Sequence, residues 1–400
     1  MALSEQQPMG LFAQLKSYNK TFWLANVMEM LERWAYYGVR LVLALFIVAA
    51  ANDGGLEFTH IEKGQIFMWM AALMSFLPMF TGGLADRYGY KTTIAISVAM
   101  KIGGYAMMAT QKEYWPFFAG CMLLAAGTGL FKPGVQGLIA HSVTGKNASV
   151  GWGMFYLLVN LGAFIAGYSA AALRVISWDL VFYVNAAIVA LNFVVLAFTP
   201  EPEVPREKAG GPLQVIAEIG RIMVVSIRDI MAPRLLIFIL LFSGFWFSFH
   251  QLFDLLPNFI DDWVPVSSVP DFFKLDANTI APEKILNLNS GMIMLTMIPV
   301  AYFASKMRAL PAICLGIFIG VIGILLAGST NIGTMAVAGI IVFTLGEMLS
   351  SPRTNDYLAS IAPADKKGAY LGYANVPSGV GWVVGSLVLG SLYEHHGDKV

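Results

Sequence analysis

The segment EMLERWAYYGVR, Glu29 to Arg40, carries two carboxylates and two guanidiniums inside an apolar stretch, TFWLANVMEMLERWAYYGVRLVLALFIVAA, that is long enough to cross a bilayer. An α-helix turns by about 100° per residue, so one face of this helix contains Glu29, Arg33, Tyr36 and Arg40. Glu32 lies beside that face. A charge at the centre of a membrane costs about 2.5–3.5 kcal/mol or more, so these side chains must face other helices and must have partners. The segment therefore predicts a helix inside a bundle.

The composition of the whole chain indicates the same class of protein. Of its 400 residues, 57% are hydrophobic and 12% are charged, and the mean hydropathy is +0.67. Because helices satisfy their own backbone hydrogen bonds in lipid, we predict an all-α integral membrane protein. The net charge of zero gives no indication of a nucleic-acid partner. Cys121 and Cys314 lie in apolar runs, where we expect them to be packing residues rather than a disulfide.

The apolar runs define the predicted organisation. Their lengths predict spans at 21–50, 62–84, 92–110, 114–141, 148–172, 176–199, 234–260, 284–304, 309–329, 332–361 and 368–393. One long polar segment, at 200–233, becomes amphipathic after its first residues and separates six spans from five. This layout is typical of transporters built from two repeated halves. We therefore predict an N-terminal six-helix bundle at 1–199, a cytoplasmic linker at 200–233 and a C-terminal bundle at 234–400 with five of six helices. A twelfth span is expected to be missing.

Lysine and arginine in the short loops predict the orientation. With a cytoplasmic N-terminus, most loop cations fall on the inner side, and the outer loops mix cations with acids such as Asp261 and Asp271. We expect a multi-pass, monomeric protein of the cytoplasmic (inner) membrane, with the lipid bilayer around it. We expect no cofactor and no metal ion, and a proton as the coupling ion.

The charges of the first span suit proton exchange. Glu29 and Arg33 are four residues apart and can pair directly on a helix. Burial disfavours an ionised carboxylate and a neighbouring cation favours it, so a movable cation can control whether the carboxylate binds a proton. The alternative is an ion-pair cluster that only locks the helices together.

Two further spans carry ionisable residues in corresponding positions. In AAGTGLFKPGVQG, Lys132 interrupts an apolar run and precedes Pro133, and in FTLGEMLSSPRTNDYLA, Glu347 lies in the middle of a span. In a two-fold repeat, one cation and one anion would face each other across the midplane, which suits a zwitterionic substrate. A direct bridge between Lys132 and Glu347 is the alternative.

The seventh and third spans contain titratable residues whose roles stay open. FSGFWFSFHQLFDLLPNFI carries His250 and Asp254, and either could titrate during gating. Asp254 could instead be a residue at a helix end close to water. In the third span, Lys101 has no predicted role beyond snorkelling or a local pair.

These motifs together resemble a known family of transporters. The first-span pattern Glu-x-x-Glu-Arg followed by Tyr-Tyr-Gly resembles the proton-dependent oligopeptide transporters of the major facilitator superfamily. GGLADRYGYK, at 82–91, resembles the superfamily's loop between spans two and three. GTGLFKPG, FYLLVNLGAF and LGE resemble the family's fourth, fifth and tenth spans, so the likeness extends over most of the chain.

The resemblance implies a major facilitator fold of two six-helix halves and a set of functional residues. The proton-coupling network would contain Glu29, Glu32 and Arg33, with Asp254 or His250 as the partner on the seventh span. Substrate binding would involve Arg40, Tyr36, Tyr37, Lys132, Asn160, Asn289 and Glu347. Asp86 and Arg87 would latch the cytoplasmic ends of helices.

The chain departs from the family's pattern in two of these places. The seventh span has His250 where the family commonly has an acid, and Asp254 lies about one turn later. The eighth span has Ser290 after Asn289, where the family has proline.

The expected function is proton-coupled symport of di- and tripeptides by alternating access. The alternative is a proton-coupled carrier of another small anion or zwitterion, such as an amino-acid conjugate, nitrate or a drug. A membrane peptide sensor that does not transport is a remoter alternative. No HExxH, GxSxG or P-loop pattern occurs in the sequence, so we do not expect an enzyme.

Overall fold

The computed structural model describes residues 11–144, 147–202, 212–361 and 373–396, and the secondary structure in these ranges is helical. The helices are α1 Leu11–Ser17, α2 Lys20–Val48, α3 His60–Tyr88, α4 Tyr90–Thr110, α5 Tyr114–Ala140, α6 Ala148–Arg174, α7 Trp178–Phe198, α8 Pro212–Ile230, α9 Pro233–Asp254, α10 Leu256–Trp263, α11 Pro282–Leu286, α12 Leu288–Ser305, α13 Ala309–Gly328, α14 Gly333–Ile361 and α15 Val376–His396. Eight of the described helices are long and apolar enough to cross a membrane. The prediction of an all-α membrane fold is confirmed.

Local sequence signals set where several helices begin. The Asn19 side chain accepts a hydrogen bond from the Phe22 amide at 2.9 Å, and Thr59 and Glu62 form a capping box at the start of α3. Between α3 and α4 the chain turns on Gly89 alone, whose φ of 96° is a conformation that favours glycine. The short α3–α4 connection keeps these two helices antiparallel neighbours.

The helices form two packed groups. In the first group, α2 packs against α6 and α7, α4 packs against α5 and α7, and α3 packs against α5. In the second group, α13 packs against α14, α9 against α15, and α12 against α14. Glycines bring α13 and α14 close together: a Cβ added to Gly316 would lie 2.5 Å from the Gly346 carbonyl oxygen.

The two groups meet at one end of the bundle. We call the end that carries the connection from α7 to α8 the linker end, and the opposite end the far end. Near the far end, α3 packs on α15, α6 on α11 and α12, and α2 on α10. A Cβ on Gly64 would lie 2.5 Å from the Ser386 carbonyl oxygen, and one on Gly167 would lie 2.4 Å from the Asn287 side chain. The far end is therefore closed by direct contact between the halves.

Two predicted spans are broken in the structure. The seventh is α9 and α10, separated at Leu255, and Pro257 occupies the first turn of α10. The eighth begins as α11 and resumes as α12 after Asn287. The predicted spans at 234–260 and 284–304 thus each contain a break in the helix, which hydropathy does not register within an apolar run.

The linker contains a surface helix, α8, which carries exposed apolar and basic side chains together. Val224 and Ile227 are exposed, and so are Arg221 and Arg228. A helix of this kind suits the boundary between headgroups and acyl chains.

Candidate functional site

The charged face of α2 is buried inside the first helix group. Glu29, Glu32 and Arg33 are each at most 5% exposed. The Arg33 guanidinium pairs with the Glu32 carboxylate, and Arg33 Nε lies 3.4 Å from Glu29 Oε1. The predicted i to i+4 pair is present, and Arg33 holds both carboxylates.

Lys101 completes this group of charges. It lies on α4, is 1% exposed, and its Nζ donates a hydrogen bond to Glu32 Oε1. From the sequence, Lys101 had no predicted role beyond snorkelling or a local pair, because its partner is on another helix. We call Glu29, Glu32, Arg33 and Lys101 the charge cluster.

Lys132 lies beside the charge cluster on α5, within electrostatic range of Glu29, Glu32 and Arg33. Among the residues that the structure describes, it forms no salt bridge and no hydrogen bond. The ammonium group is therefore not committed to a protein carboxylate.

Glu347 is the corresponding group in the second helix group. It is 8% exposed, and its Oε2 accepts a hydrogen bond from Asn289 Nδ2 at 2.7 Å. The same amide contacts Thr344 Oγ1 at 3.1 Å. No cation of the described ranges lies within salt-bridge distance of Glu347, so a direct bridge to Lys132 is not formed.

Two tyrosines lie within electrostatic range of Glu347. Tyr37 on α2 is electrostatically coupled to both Arg33 and Glu347, and Tyr156 on α6 is coupled to Glu347. Asn160 donates to the Tyr156 carbonyl at 2.9 Å. Tyr156 was not identified from the sequence, although it falls in the FYLLVNLGAF segment.

Tyr36 has a different environment from Tyr37. Its hydroxyl contacts Met74 Sδ at 3.7 Å, and the Arg33 guanidinium lies 5.0 Å from its ring centroid. It is 6% exposed, so it packs between α2 and α3.

Arg40 and Asp254 join the two halves toward the far end. Their side chains form a buried ion pair between α2 and α9. On α15, Trp382 Nε1 and Ser386 Oγ donate to the other Asp254 oxygen at 2.8 and 3.0 Å. Three helices thus converge on one carboxylate, and Arg40, predicted to bind substrate, is engaged in this contact.

His250 lies one turn before Asp254 and is linked to it through Trp382. Its ring stacks on Trp382 with centroids 4.3 Å apart, and Nε2 lies 3.1 Å from Ser378 Oγ. In the described part of the chain, the carboxylate that pairs with Arg40 is that of Asp254. His250 contacts the neutral side chains of Ser378 and Trp382 instead.

Two further contacts across the far end were missed by sequence reasoning. Lys63 on α3 is buried and donates to Asn258 Oδ1 at 2.6 Å, and Asn258 in turn donates to the Ala44 carbonyl at 3.1 Å. Arg174 on α6 pairs with the fully buried Glu283 on α11 at 2.7 Å. Their partners are distant in sequence, so spacing gave no signal.

The predicted latch falls at the end of α3. Asp86 and Arg87 lie within this helix, but their side chains are outside the described residues. Their role stays a prediction.

A helical bundle in two halves, closed at one end and with separate buried charges in its interior, has the architecture of a membrane carrier. The chain belongs to the Major Facilitator Superfamily, whose family model matches residues 22–386.

Known proteins similar to this chain fall into more than one transporter group. By sequence, it is similar to a multidrug resistance protein MdtH from Klebsiella pneumoniae (strain 342), with 24% identity over 321 residues. That alignment covers 80% of this chain and 74% of the relative. By structure, it is similar to a mutant of the peptide transporter POT in complex with alafosfalin, with a TM-score of 0.78, 19% identity, and coverage of 96% of this chain and 90% of that one. A mutant of the nucleoside transporter NupG gives a TM-score of 0.74 at 14% identity, covering 94% and 92%.

Proposed function

We propose that this protein carries di- and tripeptides together with protons across the cytoplasmic membrane by alternating access. The observation that carries the proposal is a pair of charges without a salt-bridge partner among the described residues, the half-buried Lys132 in one half and the buried Glu347 in the other. A buried charge without a counterion is costly, so each of these groups favours a ligand of opposite charge. A peptide has a carboxylate at one end and an ammonium at the other and would satisfy both.

The surrounding side chains support this orientation of the peptide. Its carboxylate would lie near Lys132 and Arg33, and its amino group near Glu347, Asn289 and Asn160. Tyr37 lies within electrostatic range of both Arg33 and Glu347, and Tyr156 within range of Glu347, so both would contact the peptide backbone. Because the poles belong to different halves, a bound zwitterion would draw the halves together, as alternating access requires.

Proton coupling would use the contact between Glu29 and Arg33. A proton on Glu29 would cancel its attraction for Arg33, so the part of the guanidinium that faces Glu29 would bind the peptide carboxylate while Arg33 stays paired with Glu32. An inward proton contributes about 2.3 kcal/mol per 100 mV of membrane potential.

The closed far end supports the direction of access. With the N-terminus in the cytoplasm, as the loop cations predict, the far end is the outer side and this conformation faces inward. Arg40 and Asp254 would then form part of the outer gate.

The experiment that tests the proposal is peptide uptake by the protein in liposomes, with and without an imposed pH gradient. We expect a dipeptide to accumulate against its own concentration gradient only when the pH gradient is present, and an ionophore to abolish the accumulation. Liposomes without protein are the control. Facilitated peptide equilibration that is indifferent to the proton gradient would exclude coupling, and no peptide movement would exclude the substrate.

A proton-coupled carrier of another small anion or zwitterion, including a drug, is the second candidate. The observation that favours it is the sequence similarity to proteins named multidrug resistance protein MdtH. A competition screen separates the candidates: excess di- and tripeptides should block uptake of a labelled peptide if peptides are the substrate. Inhibition by nitrate, an amino-acid conjugate or an anionic or zwitterionic drug, but not by peptides, would favour the second candidate.

A further inference from the structure

We infer that Lys101 is a positioning residue that keeps Glu32 a permanent ionic partner and reserves proton exchange for Glu29. The inference rests on the proposed proton coupling and deepens it, because it distinguishes the two carboxylates of the first span. It follows from how the structure distributes hydrogen bonds between them.

The Glu32 carboxylate is fully engaged. Lys101 Nζ donates to Oε1, and Arg33 donates to Oε2. The carboxylate is 0% exposed, and it lies between a cation from its own helix and a cation from α4. Both oxygens therefore accept hydrogen bonds from charged donors, which disfavours protonation of either oxygen.

The Glu29 carboxylate is only half engaged. Its Oε1 makes the 3.4 Å contact with Arg33 Nε, while its buried Oε2 has no hydrogen-bond partner within the described structure. Glu29 is 2% exposed, so this oxygen is both buried and unpartnered. A proton added to Oε2 would remove the negative charge and weaken the contact with Arg33, while Arg33 would remain bound to Glu32.

Neighbouring helices hold Lys101 in place. Its ammonium lies 4.6 Å from the Phe131 ring centroid on α5, and its stem runs along Gly127, where a Cβ would come within 2.9 Å of Lys101 Cγ. Ser97 Oγ donates to the Gly127 carbonyl at 2.6 Å and joins α4 to α5 at this level. Lys101 therefore has little freedom to leave Glu32.

The other ionisable groups around the two carboxylates do not change the difference in hydrogen bonding between Glu29 and Glu32. Lys132 on α5 lies within electrostatic range of both carboxylates, and Tyr105 on α4 and Tyr37 on α2 lie within range of Glu32. None of these three forms a hydrogen bond or salt bridge with either carboxylate among the residues described. The direct contacts of Lys101 and Arg33 thus set the difference between Glu29 and Glu32.

The test is modification by a hydrophobic carbodiimide, which reacts with protonated carboxyl groups, followed by fragment mass spectrometry that separates Glu29 from Glu32. In the wild-type protein we expect modification of Glu29, decreasing as the pH rises, and none of Glu32. Equal modification of both residues would overturn the inference without any variant. This measurement needs no substrate, so a negative result here can be distinguished from a negative result in the transport experiment.

Variants of Lys101 test its role directly. In Lys101→Met we expect Glu32 to become modified, because it has lost one of its two cations, and in Lys101→Arg we expect the wild-type pattern. Absence of modification at Glu32 in folded Lys101→Met, checked by its melting temperature in detergent, would show that Lys101 does not hold Glu32 ionised.

Discussion

At the scale of single residues, the buried and half-buried ions in this protein divide into those with counterions and those without. Glu32, Asp254 and Glu283 each have a cation within salt-bridge distance, whereas Lys132 and Glu347 have none among the described residues. Paired ions hold helices together, and removing one partner leaves an uncompensated charge. The unpaired ions are the ones available to a ligand.

Replacing Glu29 by glutamine should uncouple transport from protons. Glu29→Gln keeps the shape of the side chain but cannot gain or lose a proton, so uptake driven by a pH gradient should be abolished. Peptide counterflow, which needs no net proton movement, should persist. Both are measured in the same proteoliposomes, and undiminished gradient-driven accumulation would remove Glu29 from the coupling pathway.

Replacing Lys132 by alanine should weaken substrate binding. The loss of a charged partner for the peptide carboxylate should raise the concentration for half-maximal uptake about ten- to a hundredfold, since hydrogen bonds to charged groups are worth about 1.5–3 kcal/mol. Lys112→Ala is the matched control, because Lys112 is exposed and pairs with Asp179 at the surface. An unchanged half-saturating concentration in Lys132→Ala would exclude Lys132 from the substrate site.

At the scale of helices, the sequence is more informative about lengths than about breaks and partners. Apolar run length located most of the long helices to within a few residues, and the spacing of Glu29 and Arg33 indicated their contact. Lys101–Glu32 and Arg174–Glu283 could not be predicted, since their partners are 69 and 109 residues away. Long-range pairs depend on how helices pack, and hydropathy carries no information about that.

The buried ion pair between α6 and α11 allows a test of how burial changes the contribution of an ion pair to stability. Glu283→Gln would leave Arg174 without a counterion in a buried position, and we expect a loss of about 3 kcal/mol in stability. Asp179→Asn disrupts an ion pair whose side chains are both 48% exposed, and it should cost less than about 1 kcal/mol. Thermal unfolding in detergent compares the two variants, and equal melting temperatures would mean that the buried pair does not stabilise the fold.

At the scale of the whole molecule, the halves touch at the far end through both apolar and ionic contacts. Leu41 belongs to a core cluster otherwise formed by the second half, and the neighbouring Arg40 reaches Asp254. Tight glycine contacts between α3 and α15 add to this closure. Alternating access requires these contacts to separate in the opposite conformation.

Removing the charge of Asp254 should therefore favour an open far end. In a background without Cys121 and Cys314, Asp254→Asn should increase the rate at which a maleimide modifies Leu41→Cys, by about tenfold for each 1.4 kcal/mol of closure lost. The control is Ser267→Cys, at an exposed position between α10 and α11. It should react with the maleimide at the same rate with and without Asp254→Asn. An unchanged rate at position 41 would show that this ion pair does not hold the far end closed.

The break between α9 and α10 has a consequence for observing this motion. Pro257 has no amide hydrogen, so the Phe253 carbonyl lacks its helical donor, and Arg40 Nη1 from the other half donates to it at 3.3 Å. When the halves part, this carbonyl must exchange the guanidinium for water or remain bare. A ¹³C label at the Phe253 carbonyl would therefore give the protein an infrared band whose frequency distinguishes the two conformations, with no probe attached to either half.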